Sequence, residues 1–240
     1  MTLFRKPAVS RKGAKVLIVG KSGTGKTSLG LTFPGIMVID TENGMTFYEG
    51  TETGKNVLGV ANTQSFYDVE DAIDEVSTMG DEAKTLLIDS ETKVYENTQH
   101  TVQRVDNARA RRDGRDLLDT NLSIRSWGKI NEISKRLQNK KIDVSSRGVN
   151  VVSVAQIKDV TEEIGGNMIV TGYRIEMPKN SEYDYDIVLE TFTEGEGENV
   201  KYKTKVLKDR TKTYKAGDVI DNASYNLWKE RIENGEKPSS

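Results

Sequence analysis

The residues most able to do chemistry form one unbroken stretch, Gly20-Lys21-Ser22-Gly23-Thr24-Gly25-Lys26-Thr27, which matches G-x-x-x-x-G-K-[ST] in full. Glycines let a backbone curl until successive amide N–H groups point inward, a geometry that cradles phosphate oxygens. A lysine in the position of Lys26 bridges the β- and γ-phosphates of a nucleoside triphosphate, and a hydroxyl in the position of Thr27 ligates Mg2+. Ser28 follows in the same binding segment. Chance yields the pattern in roughly one per cent of chains of this length, so the signal is strong. The apolar run Val16 to Val19 reads as the strand before the loop, and a helix starting near Lys26 is expected to add its positive N-terminal end.

Two acidic strand tips suit the same chemistry. Thr85-Leu86-Leu87-Ile88-Asp89-Ser90 is an apolar strand ending in an acid, and Asp89 is expected to hold Mg2+ through water, opposite Thr27. Val38-Ile39-Asp40-Thr41-Glu42 ends in two acids separated by one residue, which project to the same side of an extended segment. Hydrolysis needs a carboxylate that orients and deprotonates the attacking water. Glu42 is the candidate for that task, with Asp40 supporting the Mg2+ or the loop.

These groups need a scaffold. Lys15 to Val19, Ile36 to Ile39, Thr85 to Ile88 and Val149 to Ala155 are β-branched, non-alternating and bounded by Gly or polar residues. Such runs suit a parallel sheet covered on both faces. Helical spacing recurs between them. Ser65 to Met79 carries apolar residues at 66, 69, 72, 73, 76 and 79, and Ile124 to Leu137 aligns Ile124, Trp127, Ile130, Ile133 and Leu137 on one face. Residues 91 to 113 are polar and basic with a weak stripe. Alternating strands and helices predict an α/β fold with a mainly parallel sheet flanked by helices. After residue 156 the pattern becomes β-rich. Gly165-Gly166-Asn167 joins Val160–Ile164 to Met168–Ile175 as a hairpin, and Ile187 to Phe192 and Val200 to Leu207 read as further strands. Ala223 to Asn234 reads as a short helix with Asp221 or Asn222 as its N-cap and Gly235 as its stop.

Composition narrows the class. A chain of 240 residues allows one large domain, or one with a sizeable insertion. Lys and Arg number 35 against 37 Asp and Glu, a net charge of -2, which excludes a strongly basic nucleic-acid coat. Residues 1 to 39 nevertheless hold seven bases and no acid, while residues 40 to 82 hold eleven acids and one base. That asymmetry fits either two solvated faces of one domain or a basic entrance for an anion. With no Cys and one His, a disulfide framework, zinc knuckle or cysteine nucleophile is excluded, and a His-centred triad is disfavoured. The longest apolar runs are too short to span a membrane, and the start Met1 to Pro7 lacks a secretion signal, so a soluble cytoplasmic protein with no membrane partner is expected.

The succession of phosphate loop, strand-Asp-x-Glu, strand-Asp-Ser and strand-x-Gln resembles the RecA-type P-loop ATPase core. More narrowly, it is similar to small phage-encoded ATPases of the Sak-type single-strand annealing and recombination group. The stretches carrying the likeness are Val16–Thr27, Ile36–Gly44, Leu86–Ser90, Val151–Lys158 and Lys205–Thr211. The resemblance implies Glu42 as catalytic carboxylate, ATP and Mg2+ as ligands, and Gln156 as a sensor of the γ-phosphate that signals to a mobile DNA-binding segment. Lys208 and Arg210 resemble a Lys-x-Arg finger pair that reaches the nucleotide of a neighbouring subunit, or they are a charged strand end in a Lys-rich stretch. It also implies a homo-oligomer, as ring or filament, on single-stranded DNA, in host cytoplasm if the chain is phage-encoded. A single-strand-binding protein is a further candidate partner. Residues 1–220 are then one RecA-like ATPase domain, with 1–14 as basic arm, 91–147 as helical insertion and 158–220 as hairpin and extra strands. Residues 221–240 are helix and tail. AAA+ proteins are set aside because they carry a helical lid after the core, where this chain reads as strands.

Arg104, Arg109, Arg111, Arg112 and Arg115 follow the Asp89 strand, interleaved with acids, and read equally as DNA contacts or as an ion-paired exposed helix. Lys158 opens the hairpin that follows Gln156, in the place of the family's second DNA loop. Tyr173 and Met168 suit base stacking or core packing, and Trp127 and Trp228 core or subunit contacts. The leading expectation is a Mg2+-dependent, DNA-stimulated ATPase for recombination or annealing. The alternatives are a small-molecule P-loop kinase and a nucleotide-gated interaction module that hardly hydrolyses.

Overall fold

The computed structural model describes residues 13–114 and 122–234. Arg115, the arm up to Lys12, Gly235 and the tail lie outside them. Among the described residues nine strands form a sheet: β1 (Lys15–Gly20), β2 (Ile36–Asp40), β3 (Val57–Asn62), β4 (Thr85–Asp89), β5 (Asn150–Ile164), β6 (Asn167–Ile175), β7 (Ile187–Glu194), β8 (Lys201–Asp209) and β9 (Val219–Asp221). The helices are α1 (Lys26–Gly30), α2 (Phe66–Thr78), α3 (Glu91–Arg112), α4 (Ile124–Ser146) and α5 (Lys229–Asn234). The strand order is β3-β2-β4-β5-β1-β7-β8-β9, with β6 paired to β5. From β3 to β7 every neighbour is parallel, while β8 and β9 run antiparallel.

Parallel strands need covering on both faces, and the alternation of β1 provides for it. Val16 and Ile18 pack with Leu29, Phe33 and Trp228, whereas Leu17 and Val19 pack with Met177, Tyr185 and Val188. A third cluster joins α2, through Val69, Ile73 and Val76, to Leu86 and Ile88 of β4 and Leu137 and Val144 of α4. The apolar stripe of α4 is shorter than expected. Ile130, Ile133 and Leu137 are buried, but Ile124 is 93% exposed and Trp127 41%, because the first turn of α4 buries Ser126, hydrogen-bonded to Asp106 of α3, rather than its apolar residues. Trp127 is therefore not a core residue, while Trp228 is.

Two strands escape sequence reading. β3 is interrupted by Gly59 and β9 has three residues, so both depend on a paired neighbour rather than on intrinsic pattern. The C-terminal helix is also corrected. Asp221 pairs with Lys203 inside the sheet and Asn222 adopts a left-handed φ of 49°, so neither caps a helix. The chain instead turns at Tyr225–Leu227 before the six-residue α5. β5 runs past the sheet. Residues 150–154 pair with β4 and 151–156 with β1, while 157–164 pair only with β6 and form the expected hairpin, closed by left-handed Gly165 and Gly166. No helix among the described residues is long and apolar enough to cross a membrane.

Candidate functional site

The phosphate loop connects β1 to α1 at the carboxyl end of the parallel strands, where open α/β sheets bind ligands. Gly23 and Gly25 take φ of 75° and 87°, a region other residues rarely adopt, so these two positions require glycine. Gly20 is glycine for lack of space: a Cβ there would lie 2.5 Å from the Thr191 carbonyl oxygen and 2.7 Å from Thr24 Oγ1. The loop is tied from within and from outside. Thr24 Oγ1 donates to the Lys21 carbonyl at 2.8 Å and lies 2.8 Å from Thr191 Oγ1 of β7, both hydroxyls being buried. α1 has only five residues, so the positive helix end expected at Lys26 is weaker than a long helix would supply, and the loop amides carry more of the anion-binding capacity.

Strand order brings the two acidic tips beside the loop. β4 is two strands from β1, and Thr27 Oγ1 donates to Asp89 Oδ2 at 2.6 Å. Burial, with Glu42 and Asp40 nearby, outweighs the Thr27 hydrogen bond and Lys26 and pushes the Asp89 carboxyl up to about 6. Crowded carboxylates of this kind favour a bound cation. Among the described residues no cluster of three or more His, Cys, Asp or Glu side chains forms a metal cage. A protein site with one carboxylate and one hydroxyl fits Mg2+, which keeps several waters and takes phosphate oxygens as ligands. Burial lowers the Lys26 ammonium below its ordinary value, against the pull of Asp89 and Glu42. Its Nζ donates to the Lys21 carbonyl at 2.7 Å.

Glu42, Ser90 and Gln156 converge over this pair from three separate segments. Ser90 Oγ donates to Glu42 Oε1 at 2.7 Å, and Gln156 Nε2 approaches the same oxygen at 3.4 Å. The tips are clamped together, since Ser90 N donates to Thr41 Oγ1 at 2.8 Å and Thr41 N to the Asp89 carbonyl at 2.8 Å. Asp40 does not face the cleft as a metal ligand. Its Oδ1 accepts Glu42 N at 3.1 Å and its Oδ2 accepts Met45 N at 2.8 Å, so it braces the turn that carries Glu42.

The cleft holds about 680 Å³ and is lined along its other wall by Tyr202, Lys203, Asn222 and Ser224, none of them assigned to the site from sequence. Tyr202 lies against Gly25: a Cβ on that glycine would stand 3.2 Å from the tyrosine ring. Position within a remote antiparallel strand leaves no local signal for such a residue.

The other candidates are dispersed. Arg104, Arg109, Arg111 and Arg112 are exposed on α3, with Arg109 3.5 Å from Asp106. Lys158 is exposed at the hairpin base, across from Arg174. Met168 is 67% and Tyr173 39% exposed, so neither is core. Lys208 and Arg210 lie at the opposite end of the sheet from their own phosphate loop. Asp209 pairs with Ile187 and Ile187 with Val16, four residues before Gly20, or about 13 Å along the strand. There Lys208 Nζ donates to the Tyr183 carbonyl at 2.9 Å, and Arg210 meets Asp186 at 3.3 Å.

Comparison with solved structures supports the architecture. The crystal structure of the RadB recombinase is similar with a TM-score of 0.54 at 12% identity, covering 88% of this chain and 87% of that one, which shows the RecA-like α/β fold. A KaiC-like protein from the hyperthermophilic archaeon Pyrococcus horikoshii OT3 is similar at 16% identity with a TM-score of 0.49, covering 88% and 85%. No curated protein matches the sequence. The profile of a family described as AAA domain matches residues 12–220. That match overturns the sequence argument that set AAA-type proteins aside for want of a helical lid, although β7, β8 and β9 do occupy that region. By this match over most of its length the chain belongs to the AAA domain family, with its phosphate loop built on a RecA-like sheet.

Proposed function

We propose that the protein is a Mg2+-dependent ATPase that assembles on single-stranded DNA and serves recombination or strand annealing. The observation that carries the reading is the convergence of Lys26, the Thr27–Asp89 pair and the Glu42–Ser90–Gln156 cluster on one cleft. Thr27 and Asp89 would hold Mg2+, which when bound neutralises phosphoryl charge. Lys26 leaves the Lys21 carbonyl to meet phosphate oxygens. Glu42 orients a water and accepts its proton at a carboxylate oxygen, while the Gln156 amide and Ser90 hydroxyl fix the carboxylate. Gln156 sits where β5 leaves the sheet, so any shift of Glu42 is felt at the base of the hairpin.

The DNA part of the reading is supported by the exposed arginines of α3, by Lys158 on that hairpin and by the fold shared with a protein described as a recombinase. Residues 1–220 act in it as one ATPase domain, with 91–147 as helical insertion and 158–220 as hairpin and extra strands. Lys208 and Arg210, remote from their own loop, serve as a finger only toward a neighbouring copy, which requires a ring or filament. The test is ATPase rate against single-stranded DNA concentration, with electron microscopy of the same samples. The expected result is slow turnover that rises with DNA as assemblies form. Turnover indifferent to DNA, with no gel shift at low salt, overturns the DNA reading. Phosphate transfer to a metabolite would mark a kinase instead, and nucleotide-driven assembly insensitive to Glu42→Gln would mark a nucleotide-gated module.

A further inference from the structure

Lys21 faces two ways. Its carbonyl accepts the Lys26 ammonium at 2.7 Å and the Thr24 hydroxyl at 2.8 Å, inside the phosphate loop. Its own ammonium points outward and pairs with Asp159 at 2.8 Å. Asp159 lies on β5 just past the point where that strand leaves the sheet, and its register partner on β6 is Tyr173. The Tyr173 hydroxyl donates to Glu190 of β7 at 3.2 Å. One rung of the hairpin is thus held at both ends, by Lys21 of the phosphate loop and by Glu190 of β7, the strand beside β1, while residues 158 to 174 are otherwise exposed.

Asp159 is an acid beside a loop shaped for an anion. A nucleoside triphosphate in that loop brings several negative charges, which repel Asp159 and compete with it for Lys21. We propose that the Lys21–Asp159 pair is a latch that ties the phosphate loop to the hairpin base, and that nucleotide binding opens it and frees that base. The inference rests on the nucleotide reading of the loop proposed above, and it is separate from the Gln156–Glu42 contact. Coupling is reciprocal, so a latch that nucleotide opens must itself weaken nucleotide binding. The two side chains are 62% and 38% exposed, which limits the effect to that of a surface ion pair and makes it sensitive to salt.

The test compares wild type with Asp159→Asn by two readouts. One is the affinity for a fluorescent non-hydrolysable ATP analogue with Mg2+, and the other is hydrogen–deuterium exchange of the segment 157–175. Asp159→Asn is expected to bind the analogue about two- to fivefold tighter at low salt, with the gain fading at high salt. Analogue should speed exchange at the hairpin base of wild type by a similar factor, and Asp159→Asn should exchange fast without it. Asp159→Glu should restore wild-type behaviour. A purely structural ion pair would loosen the hairpin without tightening nucleotide. Unchanged or weaker affinity in Asp159→Asn, or slower exchange in wild type with analogue, overturns the latch. Failure of wild type to bind the analogue overturns the nucleotide reading and the latch together. Binding that Lys26→Ala abolishes but Asp159→Asn leaves unchanged removes the latch alone.

Discussion

Asp89 should make the nucleotide-free protein less stable than it would be with a neutral residue there. Its carboxyl sits at about 6 in the fold against 3.8 in water, chiefly through burial. At about 1.4 kcal/mol per pH unit, the ionised form then costs the fold about 3 kcal/mol at pH 7. Because the folded value is raised, the associated stability is fully present below pH ~4 and is lost as pH rises through ~6. Asp89→Asn keeps an acceptor for the Thr27 hydroxyl and removes the charge. Urea denaturation without Mg2+ or nucleotide should show Asp89→Asn more stable by about 3 kcal/mol at pH 7, by roughly half that at pH 5, and nearly equal at pH 4. The same variant should lose Mg2+-dependent nucleotide binding. Equal or lower stability of Asp89→Asn at pH 7, with no dependence of the difference on pH, would refute the view that this acid is held at an energetic disadvantage for a cation.

Three further outcomes are expected. Glu42→Gln should lower kcat by about 10²- to 10⁴-fold while nucleotide affinity stays within a few-fold, measured by steady-state turnover and analogue titration. Arg210→Ala should lower turnover without loss of binding, and mixing it with Glu42→Gln protein should recover activity if the finger acts between copies; no recovery at any ratio refutes that geometry. Lys141 is buried with its Nζ 2.7 Å from Glu91 and 3.2 Å from the Tyr185 hydroxyl. Although burial by itself would lower the Lys141 ammonium, the Glu91 carboxylate and Tyr185 reverse this and raise it. Lys141→Met strands Glu91 and should destabilise the fold by about 3–5 kcal/mol, with Glu91→Gln in the same chain restoring part of the loss in thermal unfolding.

The phosphate loop was legible because its chemistry is local. Eight consecutive residues set the backbone curl, and the glycines at 23 and 25 fall where φ is positive. The strands at 15–20, 36–40 and 85–89 were legible for a similar reason, since strands buried on both faces need unbroken apolar runs. β3 and β9 were not, because their pairing with β2 and β8 supplies what their own residues lack.

The sequence by itself determined that a phosphate-loop motif follows an apolar strand and that two acidic tips end later strands. It also placed Gln156 at the close of a later apolar run. Only the tertiary structure decided that Ser90 and Gln156 meet one oxygen of Glu42, that Asp40 turns inward to hold a loop, and that Thr191 braces Thr24. It alone put Tyr202 against Gly25 and moved Lys208 and Arg210 to the far end of the sheet. The reason is that neighbours along the chain are set by bonded geometry, whereas neighbours across a sheet are set by strand order, direction and register, which arise from burying all the apolar runs at once.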